Sequence, residues 1–336
     1  MRGLSVNMPD TRTALVNLAL LLLLVAVVLS SLSMGTVQVS PLDAVTALTG
    51  KADPMTDFVV KELRLSRILA GLLSGAALAV AGCLMQTLAR NRLATPGIIG
   101  IDNAATAFAV ASVVGVGLAL APSAMALAGA AAATALAFGL AGANGTRGYR
   151  FIVAGIGIGA IAGAVMQVML SRVAIDAANA AYPWTVGSLN ARSEQSVQVL
   201  AIGLVAGYLT LLAISRALNT LQFSDAVAIA LGTRLKLTRI LGLALSVLLT
   251  GLAVSVCGPV GLIALLAPEF ARTISRPGKV PLTASALAGA SFMVIADLLG
   301  RTLFSPLEIP VGIITAIVGS PYLLWILLKP SKRSLT

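Results

Sequence analysis

Long apolar runs separated by short polar intervals dominate the chain. Charged residues and stretches containing Gly or Pro divide it into ten apolar segments, each near the roughly 20 residues that a helix needs to cross a bilayer. Those segments are residues 14–33, 64–88, 97–119, 122–142, 151–172, 196–215, 236–256, 258–275, 282–303 and 307–328. Each is about twice as long as a barrel strand, and backbone groups in lipid must be hydrogen-bonded within their own segment. The pattern therefore predicts an all-α polytopic membrane protein with about ten transmembrane helices.

The polar intervals between the segments are too short to fold alone. The longest are residues 34–63, 173–195 and 217–235, well below the length at which a soluble domain builds its own core. Of all residues, 58% are hydrophobic and only 10% are charged, against roughly 25% charged in soluble domains. We therefore expect one transmembrane domain over residues 1–336.

The basic residues are unevenly distributed along this pattern. The net charge is +11, but the lysines and arginines are dispersed between apolar runs, which argues against nucleic-acid binding. With the N-terminus inside, sixteen of the 23 basic residues fall on the inner side. The positive-inside rule then predicts that both termini are cytoplasmic and that Arg64, Arg67 and Arg301 lie outside.

Small residues recur every four positions in two of the segments. They are Gly71, Gly75 and Ala79 in the second segment and Gly155, Gly159 and Gly163 in the fifth. The second set lies in AGIGIGAIAG, which lacks the strand, the turn and the acidic residue of a dinucleotide site. Close helix packing is the favoured interpretation of both sets.

Composition excludes several kinds of catalytic chemistry. The chain contains no histidine, so histidine triads, HExxH metal sites and imidazole relays are excluded. Its Gly-Lys pairs lack the spacing of a Walker A motif, so we expect ATP hydrolysis in a separate subunit. Cys83 and Cys257 are expected as small buried side chains. We predict no catalytic residue, no metal site and no cofactor in this chain.

Few acidic residues lie near the apolar segments. Asp102, Glu269, Asp297 and Glu308 each fall close to a predicted helix end. An ionisable residue inside a membrane is a functional candidate, and an ion-coupled secondary transporter would use Asp102 or Glu308 at a broken helix. Asp297 and Arg301 are four positions apart, so they could also pair with each other. An intramembrane enzyme is set aside, because no catalytic dyad pattern is present.

Three sequence blocks carry a resemblance to a known family. They are RLSRILAGLLSGAALAVAGCLMQTLARNRLATPGIIGI, CGPVGLIALLAPEFART and GASFMVIADLLGRTLFSPLEIPVGIITAIVGSPYLLWIL. In order and spacing they resemble the FecCD family of permeases, which belong to type II ABC importers for ferric siderophores, haem and vitamin B12. The overall likeness is greatest to ferric-enterobactin permeases. The chain departs from the family pattern at Ser66 and Arg92, where the family has proline, and at Glu269, where it has histidine.

The resemblance implies the type II permease fold and a defined set of partners. These are a second permease subunit, identical or paralogous, two cytoplasmic ATPase subunits, and an extracytoplasmic substrate-binding protein. The implied location is the bacterial inner membrane, where the chain is embedded in lipid. The implied cargo is an iron–siderophore complex, most readily a catecholate, with haem or cobalamin as the alternative.

The resemblance also assigns docking residues for the binding protein. Arg64, Arg67 and Arg301 match the arginines of the family that receive acidic residues of the binding protein, and a guanidinium grips carboxylate bidentately. Because Arg64 and Arg67 are three positions apart, they are expected on one helix face. Trp184 and Ser188 match a short outer element. The alternatives are arginines that reach headgroups and an interfacial tryptophan anchor.

Residues 217–235 resemble the segment through which the family contacts its ATPase. The residues assigned to this coupling are Ala228, Leu231, Gly232, Asp225 and Arg234. Short helices seated in a groove of the ATPase are the implied structure. A plain basic cytoplasmic loop is the alternative.

By the same resemblance the fifth apolar segment lines the transport path. Gly148 and Tyr149, just before that segment, are expected to form a cytoplasmic gate. Gln86 and Met166 are expected along the path.

Overall fold

The computed structural model describes residues 11–35, 37–116, 120–141 and 149–328, and every regular element within them is helical. The α-helices are α1 (Thr11–Ser33), α2 (Pro41–Leu48), α3 (Pro54–Phe58), α4 (Ser66–Ala89), α5 (Ile101–Val113), α6 (Pro122–Ala141), α7 (Tyr149–Arg172), α8 (Ile175–Val186), α9 (Glu194–Thr220), α10 (Asp225–Ala230), α11 (Leu235–Cys257), α12 (Gly261–Ile274), α13 (Leu282–Thr302) and α14 (Val311–Leu328). A π-helical stretch, Val59–Leu65, joins α3 to α4, and a 3₁₀ turn, Pro96–Ile99, precedes α5. The predicted all-α fold is confirmed.

Each of the ten predicted segments holds a helix, but some of these helices are short. Within the described residues, seven helices are long and apolar enough to cross a membrane, with Pro54–Ala89 counted as one continuous rod. The other three segments hold α5, α12 and α14, of 13, 14 and 18 residues. The expectation of about ten full spans is therefore too high.

Two of these helices are short because each begins against other helices inside the bundle. Gly100, before α5, has a φ of +75°, and a Cβ there would lie 2.5 Å from the carbonyl oxygen of Gly155 on α7. Gly261 begins α12, and a Cβ there would lie 3.6 Å from Oδ2 of Asp102. A hydropathy average also includes the apolar residues that precede each α-helix, which are the 3₁₀ turn before α5 and residues 258–260 before α12. It therefore reads both helices as full spans.

Helix α4 lies at the centre of the bundle, where it packs against α11, α12 and α13. Its glycines allow backbone contact with two of these neighbours. A Cβ on Gly75 would lie 2.3 Å from the carbonyl oxygen of Gly289 on α13, and one on Gly82 would lie 1.8 Å from that of Ala264 on α12. The predicted packing role of small residues in this segment is confirmed.

Helices α1, α7 and α9 lie at the periphery. Most side chains along α7 are exposed, among them Ile156, Ile161, Val165 and Val168. These apolar surfaces need lipid or another subunit as cover.

Candidate functional site

A charge network forms at the end of the bundle where α4 begins and α13 ends, which we call the Arg67 end. Arg67 Nε donates to Asp297 Oδ1 over 2.8 Å, and Arg67 Nη1 donates to Glu308 Oε2 over 2.8 Å. Arg301 Nε donates to the other Asp297 oxygen over 3.0 Å. The Asp297 side chain is 3% exposed, whereas that of Glu308 is 43% exposed. One buried carboxylate is thus shared between two guanidinium groups, and Glu308 brings the network to the surface.

The pairing of Asp297 with Arg301 along one turn of α13 is confirmed. Arg301 is also tied to α1, because its Nη2 donates to Ser31 Oγ over 2.7 Å. This guanidinium is buried between two helices. It fastens α13 to α1 at the Arg67 end.

Arg64 donates to backbone carbonyls at and just after the end of α1. It is 6% exposed, its Nη1 donates to the carbonyl oxygen of Leu32 over 2.5 Å, and its Nη2 donates to that of Val37. Arg64 belongs to the π-helical stretch and Arg67 to α4, so the regular rule that positions three apart share a face does not hold between them. The two arginines bind different partners and form no composite site in this conformation.

The predicted outer element folds into the end of α8 and the turn after it. Ser188 is 6% exposed, and its N–H donates to the carbonyl oxygen of Cys257 over 2.8 Å. The guanidinium of Arg192 lies 4.0 Å from the centroid of the Trp184 ring, a cation–π contact, and its Nε donates to Ser188 O over 2.9 Å. Burial lowers the pKa of Arg192 to about 10, so it stays cationic at neutral pH. Hydrogen bonds to Cys257 and Arg192 hold the turn in place. Ser188 is buried and offers little surface to a partner.

At the opposite end of the bundle, a short, largely apolar helix follows α9. Ser224 caps α10 by accepting from the N–H of Val227, and Ala228 is fully buried. Gly232, with a φ of +81°, turns the chain into α11. The exposed apolar side chains around α10, which we call the α10 patch, are Phe223, Val227, Ile229 and Leu231. The short helix expected in residues 217–235 is present.

Asp225 and Arg234 flank this helix differently. The carboxylate of Asp225 accepts from Arg90 at the end of α4 and from Arg239 in α11, whereas Arg234 is exposed just before α11. Sequence reasoning missed Arg90 and Arg239 as partners. Arg90 is 135 positions from Asp225, so no local pattern reveals that contact.

The predicted path residues lie apart from one another. Gln86 is 1% exposed within the contact of α4 with α12, where its Nε2 lies 3.4 Å from the carbonyl oxygen of Leu265. Met166 lies half-buried on α7. Gly148 and the side chain of Tyr149 fall outside the described residues.

Residues 22–329 match the FecCD transport family. The chain belongs to this family. It is 36% identical over 325 residues to the achromobactin transport system permease protein CbrC of Dickeya dadantii (strain 3937), covering 95% of this chain and 92% of that protein. It is 34% identical over 304 residues to the ferric enterobactin transport system permease protein FepG of Escherichia coli (strain K12), covering 89% and 91%.

A solved structure shows the same fold. It is an inward-facing ABC transporter assigned to the metal-chelate type, and it superposes with a TM-score of 0.80 at 24% identity. The superposition covers 94% of this chain and 99% of that one. The FecCD permease fold expected from the sequence is therefore confirmed.

Two of the positions that depart from the FecCD pattern contact each other. Arg92 Nη1 donates to Glu269 Oε1 over 3.0 Å, with side chains 71% and 7% exposed. The second Glu269 oxygen is buried without a hydrogen-bond partner. This pair links the turn after α4 to α12.

Asp102 lies in the first turn of α5, close to the start of α12. A Cβ on Gly97 would lie 2.6 Å from its Oδ2, and its Oδ1 is buried without a partner. Glu308, the other acid considered for ion coupling, is occupied by Arg67. The two candidate acids therefore differ, because one is held in an ion pair and the other has a carboxylate oxygen without a hydrogen bond.

Proposed function

We propose that the chain is the membrane-spanning permease subunit of an ATP-driven importer that carries an iron–siderophore complex across the bacterial inner membrane into the cytoplasm. The observation that carries this proposal is the similarity over most of both chains to permeases of achromobactin and ferric enterobactin transport. An anionic ferric chelate such as a catecholate siderophore is the proposed cargo. Haem and cobalamin are the alternatives to be tested.

The α10 patch supports a docked ATPase. Four apolar side chains between 45% and 61% exposed surround one short helix, and a clustered exposed apolar surface marks a partner site. The chain has no Walker A motif of its own. In this proposal a separate cytoplasmic ATPase seats α10, and this end of the bundle and both termini lie in the cytoplasm.

The exposed face of α7 supports a second permease subunit. Gly157 lies on this helix, and a Cβ there would meet nothing within 4 Å, so a neighbouring helix could approach its backbone closely. The importer then holds two permeases, identical or paralogous, and two ATPases. The cargo path runs between the permeases, and Met166 lies on the helix that lines it.

The Arg67 end then faces outward and receives the binding protein. Arg67 is 12% exposed and already paired with Asp297 and Glu308, so its contact with an acidic side chain of the binding protein requires that side chain to replace Glu308. Arg64 and Arg301 are buried among backbone carbonyls and Asp297, and their direct contact with the binding protein stays a prediction. Trp184 and Arg192 line a cavity of about 380 Å³, and a contact of Trp184 with the binding protein stays a prediction.

The transport cycle follows from two global states with different affinities. The loaded binding protein and ATP each bind one global state of the importer more tightly than the other. This difference in binding affinity between the two states supplies the coupling free energy. The path needs few strong contacts with the cargo, because a tight site would hold it. No bond of the cargo is made or broken in this chain.

Uptake of radio-iron by cells tests the proposal. Cells without their own siderophore permeases would express this chain with its ATPase and binding protein, and would be offered ferric enterobactin, ferric achromobactin, haem or cobalamin. We expect uptake of a ferric siderophore, and we expect a substitution of the Walker A lysine in the ATPase to abolish it. Uptake should continue in the presence of a protonophore when the cellular ATP concentration is kept constant. Loss with the protonophore alone would establish ion coupling, and uptake of haem or cobalamin instead would correct the cargo.

A further inference from the structure

The carboxylate of Asp225 is held between two arginines from different helices. Its Oδ1 accepts from Arg90 Nη2 over 2.8 Å and from Arg239 Nη2 over 2.7 Å. Its Oδ2 accepts from Arg239 Nη1 over 3.3 Å. Arg239 therefore forms a bidentate ion pair with the carboxylate, and this geometry fixes the orientation of the two groups as well as their distance. We call these three residues the Asp225 clamp.

Arg90 also binds the backbone that leads into α10. Its Nε donates to the carbonyl oxygen of Leu221 over 2.9 Å, and its Nη2 donates to that of Phe223. Arg90 itself is in the left-handed conformation, with a φ of 51° and a ψ of 32° at the end of α4. A residue other than glycine adopts this conformation only when its surroundings hold it there. The backbone N–H of Arg90 caps α4 by donating to the carbonyl oxygens of Gln86 and Thr87, while its side chain joins the end of α4 to the turn before α10.

The clamp joins the α10 patch to the centre of the bundle. Arg90 ends α4 and Arg239 lies in the second turn of α11, and these two helices pack along each other. The apolar side chains of the α10 patch point away from the bundle. A displacement of α10 is therefore transmitted through Asp225 to both central helices at once.

We propose that Asp225 is a positioning residue that sets the coupling between ATP hydrolysis and transport, by making α10 move as one body with the ends of α4 and α11. This proposal rests on the proposed function, because it requires an ATPase seated on the α10 patch. It assigns Asp225 an inward task, distinct from direct contact with the ATPase. The coupling is measured as the amount of cargo moved per ATP hydrolysed.

The test uses the complete importer in proteoliposomes, with whichever of ferric enterobactin and ferric achromobactin the wild type carries. Asp225→Asn keeps the size of the side chain and removes its charge. We expect the uptake per ATP to fall by at least about fivefold, the lower end of couplings between linked sites, while hydrolysis continues. Asp176→Asn is the matched control, because Asp176 is an exposed acid in the first turn of another short helix, α8. It should leave the ratio unchanged.

A double-mutant cycle separates coupling from general damage. If the clamp acts as a unit, Asp225→Asn together with Arg239→Gln lowers the ratio no further than either change alone. Additive losses, or a wild-type ratio in Asp225→Asn, would overturn the proposal. Failure of both single variants to assemble would assign the clamp to folding and also overturn it. Absence of uptake in the wild type would instead count against the proposed function.

Discussion

The substitution Asp297→Asn removes the charge shared by the network at the Arg67 end. Two guanidinium groups then lose a partner at once, and they are 12% and 8% exposed. Breaking a buried ion pair from one side costs about 3–5 kcal/mol, because the remaining charge is left uncompensated. Arg67 keeps Glu308 and Arg301 keeps Ser31. We therefore expect a loss of about 4 kcal/mol, mostly from Arg301.

Thermal unfolding of the purified permease in detergent measures this loss. At roughly 2–4 °C per kcal/mol for a domain of a few hundred residues, Tm should fall on the order of 10 °C. Glu308→Gln is the control, because it also removes an acid bound to Arg67 but one that is 43% exposed, where a pair contributes about 0–1 kcal/mol. If both variants melt at the same temperature, the assignment of Asp297 as the central charge is wrong.

Three further substitutions test contacts elsewhere in the bundle. Gly82→Ala would put a Cβ 1.8 Å from a backbone carbonyl of α12, so Tm should fall by the equivalent of at least about 1–3 kcal/mol. Gly139→Ala on α6, which meets nothing within 4 Å, should not lower Tm, because alanine favours the helix more than glycine does. Equal losses in the two variants would argue against the tight contact. Arg92→Ala leaves the buried Glu269 carboxylate without its ion-pair partner, so it should lower Tm. Adding Glu269→Gln to the same chain should restore most of the loss. Additive losses from the two substitutions would contradict the pair. Leu231→Asp puts a charge in the α10 patch and should weaken co-purification with the ATPase by at least about tenfold, whereas undiminished recovery would place the ATPase elsewhere.

The sequence predicts the helices well because hydropathy reports the surroundings of each residue directly. Each of the ten predicted segments contains an α-helix. The sequence also contains start signals for α2 and α3, in the polar interval before α4. Ser40 and Asp53 are N-cap residues, and each is followed by proline, which is favoured at the first helical position. What periodicity could not show is the π-helical stretch. It contains Arg64, whose guanidinium donates to the backbone carbonyls of Leu32 and Val37.

The site is less predictable because its contacts join distant parts of the chain. Arg67 pairs with acids 230 and 241 positions away, and no spacing rule relates residues so far apart. The resemblance to the FecCD family named Arg64, Arg67 and Arg301 as docking residues, which stays a prediction, and the structure shows that Arg67 and Arg301 share Asp297. The resemblance did not reveal that Asp297 and Glu308 already occupy them.

The glycine contact between α4 and α13 has a consequence for how the molecule can move. Where Gly75 and Gly289 touch backbone to backbone, neither helix can slide past the other without a collision. Together they form a stiff strut, and α4 runs through it from Arg67 at one end to Arg90 at the other. We therefore expect a displacement at the Arg67 end to reach Arg90 through these two packed helices. We expect any change of conformation to shift the exposed helices α7 and α9 rather than α4 and α13.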